Sequence, residues 1–347
     1  MSDPVITAIL PSRAISGGRV TLQGQHLLSR ADWPPEVRLG DQPARVVVAS
    51  RRTLVVVVPD GVSGRVPLSI GGVETGDTLE VAAPLATGLH QVDSPACDAE
   101  GRVYVTYSGS RGQDVPVSLF RVSRGGAREP FSDAVDHPTG LAVDAQGLLY
   151  ASDRFAGTVL AVSADGSADV VASDLGAPCG LAFGPESVLY VGDRSGTIVA
   201  VTPGGPTRTI ATLPPSVAAF HLAAHPDGLF VTAPTVASRD VVYHVAWDGT
   251  TRVVAEGFGR PQGVLVEPDG SVLVADALAG AGGVYRIRDG EPHTLVVAGG
   301  GIVGLARCPR RGLLVATAET VFAFSDADDA DDARQVQSRG HAAPPRT

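Results

Sequence analysis

Three side chains in the middle of the chain, Asp93, His137 and His221, are of types that carry acid–base catalysis or hold metal ions. The Asp93 carboxylate is a ligand that Ca²⁺, Mg²⁺ and Mn²⁺ accept. The histidines form no HxH or HExxH spacing, so no zinc motif of that kind is present. We take all three residues as candidate catalytic groups and Asp93 as the candidate ligand of a divalent cation. No other cofactor is indicated.

The composition excludes several classes of function. The chain has no lysine, which rules out a Schiff-base mechanism and a P-loop lysine. A formal net charge of −10 and a sequence pI near 5.2 argue against a nucleic-acid partner. No stretch has the length and apolarity of a membrane span, and the amino terminus shows no signal-peptide pattern. We therefore expect a cytoplasmic protein with no membrane partner.

The cysteines, Cys97, Cys179 and Cys308, are three in number and show no CxxC spacing. An odd set of this kind argues against a disulfide framework and against a structural zinc site. We expect all three to be buried free thiols.

A repeated stretch must position the candidate residues. The segment 138–153, PTGLAVDAQGLLYASD, recurs in imperfect copies about 40 residues apart. Each copy holds a turn, an apolar run, an acidic turn and a second apolar run, which is typical of a β-hairpin. Two more apolar runs follow in most intervals. Four short strands per copy and six copies predict a six-bladed β-propeller over residues 85–325.

The sixth copy lacks a fourth strand because the chain there turns into an acidic tail at 326–347, which we expect to be disordered. An open strand edge in a closed ring would be exposed to unwanted pairing. The stretch TLEVAAPLA, just before the first copy, has the composition of a strand. We therefore expect the strand near Val81 to complete the sixth blade.

Residues 1–84 read as short strands separated by Gly and Pro turns, which is typical of a β-sandwich. The segments PVITAILP and GGRVTLQG resemble the opening strands of the IPT/TIG family, which implies an immunoglobulin-like fold. The matching positions are Ile6, Ile9, Pro11, Gly17, Gly18, Val20, Leu22 and Gly24. The whole chain is thus expected to be all-β, a sandwich followed by a propeller.

The repeats resemble NHL repeats, most clearly at 138–153, 178–193 and 261–276. They are also similar to the six-bladed propellers of the SMP-30/gluconolactonase-like proteins. The second resemblance implies a divalent metal site in the channel, built from a Glu, an Asn and an Asp. Asp93 aligns with the glutamate, but Cys179 and Gln262 stand at the other two positions. A thiol and an amide are poor partners for a hard cation.

The turn into the inner strand and the turn after the second strand lie on one face of an antiparallel blade. The middle residue of each P-x-G turn is therefore expected to line the channel on this loop face. Besides Asp93, these residues are Thr139, Cys179, Phe220, Gln262 and Val303. The turns after the second strands supply an outer ring of Arg111, Asp153, Arg154, Asp193, Arg194 and Asp276. The outer ring could bind a polar or anionic ligand, or its aspartates could be turn residues that accept backbone hydrogen bonds.

Two functions fit this pattern. The first is a binding or scaffold protein that recognises a small polar molecule or a protein partner on the loop face. The alternative is a lactone or ester hydrolase with a degenerate metal site in the channel. The incomplete ligand set around Asp93 favours the binding function.

Overall fold

The computed structural model describes residues 3–28, 35–90, 93–107, 115–123, 125–202, 205–277, 280–288 and 290–324. These residues form β-strands and turns, with a single 3₁₀ turn at Pro185–Ser187. The all-β prediction is confirmed. Arg111 and the tail at 326–347 lie outside the described residues.

The first eight strands form the sandwich. They are β1 (Val5–Leu10), β2 (Arg13–Ala14), β3 (Arg19–Gln25), β4 (Val37–Leu39), β5 (Gln42–Ala49), β6 (Thr53–Val57), β7 (Gly64–Ile70) and β8 (Val73–Val81). One sheet has the order β1-β3-β6-β5 and the other β4-β7-β8-β2, with β5 paired to strands of both. Alternate side chains such as Val20 and Leu22 point into a shared apolar core.

Six groups of four strands follow as blades. After β9 (Ala83–Thr87), blade one has β10 (Ala96–Cys97), β11 (Val103–Thr106), β12 (Leu119–Val122) and β13 (Arg128–Ser132). Blade two has β14 (Pro138–Val143), β15 (Leu149–Asp153), β16 (Thr158–Val162) and β17 (Ala168–Ala172). Blade three has β18 (Pro178–Phe183), β19 (Leu189–Asp193), β20 (Thr197–Val201) and β21 (Thr207–Thr212). Blade four has β22 (His221–His225), β23 (Gly228–Thr232), β24 (Asp240–Ala246) and β25 (Thr251–Phe258). Blade five has β26 (Pro261–Val266), β27 (Val272–Asp276), β28 (Gly283–Ile287) and β29 (Thr294–Ala298). Blade six has β30 (Ile302–Cys308), β31 (Gly312–Thr317) and β32 (Thr320–Phe324) together with β9. The inner strands contact one another in the order β10-β14-β18-β22-β26-β30 and back to β10, which closes the ring.

The ring is closed by a strand from before the first repeat, as expected. β9 pairs antiparallel with β32 and supplies the outer strand of blade six. Val81 itself belongs to β8 of the sandwich, so the closing strand begins two residues further along the chain. β9 therefore runs across the expected domain boundary at residues 84 and 85.

A disulfide bond corrects the expectation of three free thiols. Cys97 on β10 is bonded to Cys308 on β30, with the two Cα atoms 5.4 Å apart. These residues are 211 positions apart in the chain, but ring closure places their strands side by side. Cys179 is the free and buried cysteine, as predicted.

The sandwich is attached to the rim of the propeller through β2. This short strand lies parallel between β8 and β29, the outer strand of blade five. The Ile15 backbone N–H donates to the Ala298 carbonyl at 2.9 Å, and a Cβ on Gly18 would lie 2.4 Å from that same oxygen. Backbone hydrogen bonds thus run without a break from the sandwich into blade five.

Candidate functional site

The glycines of the P-x-G turns set how closely the inner strands approach the axis. A Cβ on Gly140 would lie 2.1 Å from the Cys179 carbonyl oxygen, and one on Gly180 would lie 2.1 Å from that of Phe220. Both positions therefore need glycine. The inner strands of blades two, three, five and six also shift register at this turn, which marks a bulge there.

Blade four departs from this arrangement. His221 stands where blades two, three, five and six have glycine, and β22 pairs with β23 without a register shift. Phe220 is fully buried in the core between blades three and four, with its ring against the backbone of Gly192. Phe220 is thus a core residue, and His221 reaches the axis in this blade.

His221 meets Asp93 across the channel. The two residues belong to blades four and one, which lie opposite each other in a ring of six. His221 Nδ1 is 2.6 Å from Asp93 Oδ1, and both side chains are at most 5% exposed. The imidazole N–H is not aligned for a hydrogen bond, so the attraction is that of a close charge–dipole or ion-pair contact. The Ser94 backbone N–H donates to the same Asp93 oxygen at 2.6 Å.

Buried polar atoms of this contact, of the equivalent turn of blade two and of the outer ring have no hydrogen-bond partner among the described residues. They are Asp93 Oδ2, His221 Nε2, Thr139 Oγ1 and Arg154 Nε. Buried polar atoms are normally paired, because leaving one unpaired costs roughly 1–3 kcal/mol. We call Asp93, Thr139, Cys179 and His221 the axial site.

The electrostatics link the axial site to two arginines of the outer ring. Burial raises the pKa of the Cys179 thiol to about 12, and the negative charge of Asp93 adds to the rise. The positive charges of Arg194 and Arg154 oppose it. Cys179 is therefore a neutral thiol at physiological pH, and the two guanidinium groups act on the same region as Asp93.

The outer-ring aspartates accept backbone hydrogen bonds. Asp153 Oδ1 accepts the N–H groups of Phe155 and Ala156, both at 3.0 Å. Asp193 Oδ1 accepts the Ala177 N–H at 2.8 Å, and Asp276 accepts two N–H groups from the turn at 259–260. These contacts are those of turn residues.

The arginines of the outer ring and the remaining candidates are placed differently. Arg194 donates to the Val217 carbonyl at 3.3 Å, and Arg154 lies over the Phe155 ring. Gln262 is half-buried on the inner turn of blade five. His137 is exposed and packs edge-on against Phe155, 4.5 Å between ring centroids, so the structure does not join it to the Asp93–His221 contact.

The axial site does not fit a hard divalent cation. Asp93 Oδ1 is already in contact with His221 and the Ser94 N–H, which leaves a single carboxylate oxygen. The neighbouring Cys179 is a neutral thiol, and Ca²⁺ or Mg²⁺ requires several oxygen ligands. We derive no chemistry through a metal at this position.

Sequence reasoning singled out both Asp93 and His221 but missed that they meet. The signal was present, since copies one and four of a six-fold ring must face each other. The replacement of a turn glycine by histidine was the second signal.

A model of the IPT/TIG domain matches residues 4–81. No curated protein matches the chain. Among solved structures, a gluconolactonase from Xanthomonas campestris is 16% identical with a TM-score of 0.59, over 84% of this chain and 97% of that one. An auxiliary nutrient binding protein from Bacteroides ovatus is 12% identical with a TM-score of 0.55, over 94% and 98%. A streptogramin B lyase is 12% identical with a TM-score of 0.52, over 93% and 97%.

At these identities the solved structures show the fold alone. They include binding proteins, a hydrolase and a lyase, so the function is not decided by the likeness. In the described part of the chain, no helix has the length and apolarity needed to cross a bilayer. The chain joins an IPT/TIG domain to a β-propeller whose fold is similar to those of gluconolactonase-like structures.

Proposed function

We propose that the loop face of the propeller binds a small sugar acid at the axial site. The observation that carries the proposal is the set of buried, unpaired polar atoms contributed by blades one, two and four. Asp93 Oδ2 can accept a hydrogen bond, Thr139 Oγ1 can donate or accept one, and His221 Nε2 can do either according to its tautomer. Hydroxyl groups of a ligand match such a set.

The charges favour an acid over a neutral sugar. Arg154 and Arg194 lie close enough to the axial site to influence the Cys179 thiol, and no salt bridge joins either of them to a carboxylate among the described residues. Guanidinium groups bind carboxylates through paired N–H donors. A ligand carboxylate at the arginines and ligand hydroxyls at Asp93, His221 and Thr139 would use both groups of atoms.

Thr139→Val provides the test, with Thr232→Val as its matched control. The Thr139 hydroxyl has no protein partner, whereas the Thr232 hydroxyl donates to the Gln262 carbonyl of the next blade. Thr139→Val should leave the melting temperature unchanged or raise it, because it removes an unpaired buried polar atom. It should weaken sugar-acid binding about 10-fold, by the loss of one hydrogen bond of roughly 1.4 kcal/mol.

Binding is measured by isothermal titration calorimetry with gluconate, glucuronate and galactonate. Thr232→Val should lower the melting temperature while leaving the affinity within about 2-fold of the wild type. The proposal fails if none of the three acids binds the wild-type protein, or if Thr139→Val binds as tightly as the wild type.

A second function is favoured by the Asp93–His221 contact. A histidine with Nδ1 2.6 Å from a buried carboxylate and with no partner at Nε2 has the groups that a general base requires. A water molecule would then give a proton to His221 Nε2 as its oxygen bonds to the carbonyl carbon of a sugar lactone in the axial site. His221 would return that proton to the ring oxygen as the bond between that oxygen and the carbonyl carbon breaks. Hydrolysis of glucono-1,5-lactone, followed by pH-stat, should fall at least about 100-fold in His221→Gln. Equal rates for the variant and the wild type would contradict the hydrolase function and leave ligand binding as the only proposed function.

A further inference from the structure

A second cluster of potential metal ligands lies on the face of the propeller opposite the loop face. β22 ends at His225, and the pairing of His225 with Gly228 leaves Pro226 and Asp227 as a two-residue turn. β24 runs antiparallel to β23 and brings His244 opposite Phe230. Three side chains of blade four, His225, Asp227 and His244, therefore converge at one end of the blade.

The three potential ligand atoms are close together. Asp227 Oδ1 lies 3.0 Å from His244 Nε2 and is in hydrogen-bond contact with His225 Nδ1. The Asp227 oxygen and the two imidazole nitrogens all lie within 4.8 Å of one another. One carboxylate oxygen thus contacts both imidazole rings. A cation bound between them would be coordinated by all three groups.

The surrounding residues fix the rings in place. The Phe230 ring packs against both histidines, at 5.4 Å from His225 and 5.1 Å from His244 between centroids. The Trp247 indole N–H donates to the Pro226 carbonyl at 2.9 Å and holds the turn. A Cβ on Gly228 would lie 2.9 Å from His244 Nε2, so glycine leaves the space that this ring occupies.

The site is buried on one side and open on the other. His244 is buried, His225 is half-buried, and the Asp227 side chain is 62% exposed. A cation can therefore enter from solvent without displacing the Phe230 ring beneath the histidines, and one coordination position would face water.

The ligand types select the cation. Two imidazole nitrogens and one carboxylate suit borderline divalent ions, whereas Ca²⁺ and Mg²⁺ prefer oxygen alone. Zinc takes three protein ligands of this kind with water as the fourth, at about 2.0–2.2 Å from nitrogen and oxygen. We propose that His225, Asp227 and His244 bind one Zn²⁺ ion, which ties the turn after β22 to β24 and keeps a coordination position open to solvent.

Blade five contains an internal control for this site. Its turn at 267–270 has the sequence Glu-Pro-Asp-Gly, against His-Pro-Asp-Gly at 225–228 in blade four. Asp269 there is bonded to the Ser271 hydroxyl and to Arg288, and no histidine contacts it among the described residues. The same turn without the two imidazoles should not bind zinc.

The test uses the untagged full chain after treatment with EDTA and removal of the chelator. Zinc is titrated in competition with a chromophoric chelator, and Co²⁺ is added separately to record the visible spectrum of its complex. The wild type should bind one Zn²⁺ per chain and gain melting temperature. Asp227→Asn should weaken binding at least about 10-fold, and His225→Gln similarly, while Asp269→Asn should bind as the wild type does.

Asp227 is exposed, so Asp227→Asn tests the site without disturbing the core. The proposal is overturned if the wild type binds no stoichiometric zinc, or if Asp227→Asn and Asp269→Asn bind zinc equally. The first of these results would mean that the three residues form a hydrogen-bonded cluster without metal.

Discussion

Blade four and blade three are built from the same repeat but differ at both ends of the inner strand. Blade three begins with Pro178-Cys179-Gly180, bulges at that turn, and brings Gly180 against the backbone of blade four. Blade four has His221 at the glycine position and has no bulge. At the other end of its inner strand, blade four carries His225 and Asp227, whereas blade three has Gly184 and a 3₁₀ turn.

The comparison distinguishes blades that keep the P-x-G turn from blades in which this turn is altered. Where the P-x-G pattern is intact, its glycine lets neighbouring blades approach closely. Where the pattern is broken, a polar side chain reaches either the axis or the opposite face. The departures from the repeat, more than the repeat itself, therefore indicate where chemistry can occur.

The largest effect is expected from putting a side chain at the blade-three glycine. In Gly180→Ala the new Cβ would lie 2.1 Å from the Phe220 carbonyl oxygen, so the two blades must move apart. We expect a loss of about 3 kcal/mol in the free energy of unfolding, measured with guanidinium chloride. Gly300→Ala is the control, because its Cβ would meet nothing within 4 Å. Equal stability of the two variants would show that glycine does not set the blade spacing.

A smaller effect is expected from breaking the axial contact of blade four. Asp93→Ala and His221→Ala each remove one member of a buried pair and leave the other uncompensated. Each should cost about 2 kcal/mol, and the double variant should cost about 1 kcal/mol less than the sum of the two. Strict additivity in this double-mutant cycle would mean that the two side chains do not interact.

The buried thiol of blade three should make the stability of the protein depend on pH in the alkaline range. Burial raises the pKa of Cys179 from its ordinary value of 9.0 to about 12, so the folded state favours the protonated form. The resulting stability is fully present below pH 9 and is lost as the pH rises towards 12. Unfolding free energies of the wild type and Cys179→Ala, compared between pH 8 and pH 10.5, should show a steeper fall in the wild type. Parallel pH profiles would contradict the shifted pKa.

The smallest effect concerns the Pro-Asp-Gly turn of blade five. Hydrogen bonds from Ser271 lower the pKa of Asp269 from 3.8 to about 2. This contribution to stability is present above pH 3.8 and is lost as the pH falls through about 2. Because the carboxylate is exposed, the change is best followed by NMR titration of Asp269 itself. In Ser271→Ala its pKa should return towards 3.8, and an unchanged pKa would mean that other contacts hold the turn.

Much of the fold could be predicted from the sequence because the period of the repeat is visible in the spacing of its copies. The spacing of the copies predicts the blades, and the missing strand of blade six predicts a donor from before the first copy. The disulfide could not be predicted in this way, because Cys97 and Cys308 become neighbours only when the ring closes. Cysteine counting alone cannot pair them.

The candidate sites were predicted less completely for a similar reason. Asp93 and His221 were found as single residues, since each stands at a marked position of its copy. Their contact depends on the opposition of blades one and four, which is a property of the closed ring. His244 lies on a third strand, outside the turns that the repeat marks, and its approach to Asp227 depends on the register of β24.

The Cys97–Cys308 bond also changes the hydrodynamic behaviour of the unfolded chain. It closes a covalent loop between two residues 211 positions apart, so most of the polypeptide cannot extend even in detergent or denaturant. The oxidised chain should consequently have a smaller radius than the reduced chain and should migrate faster on a non-reducing gel.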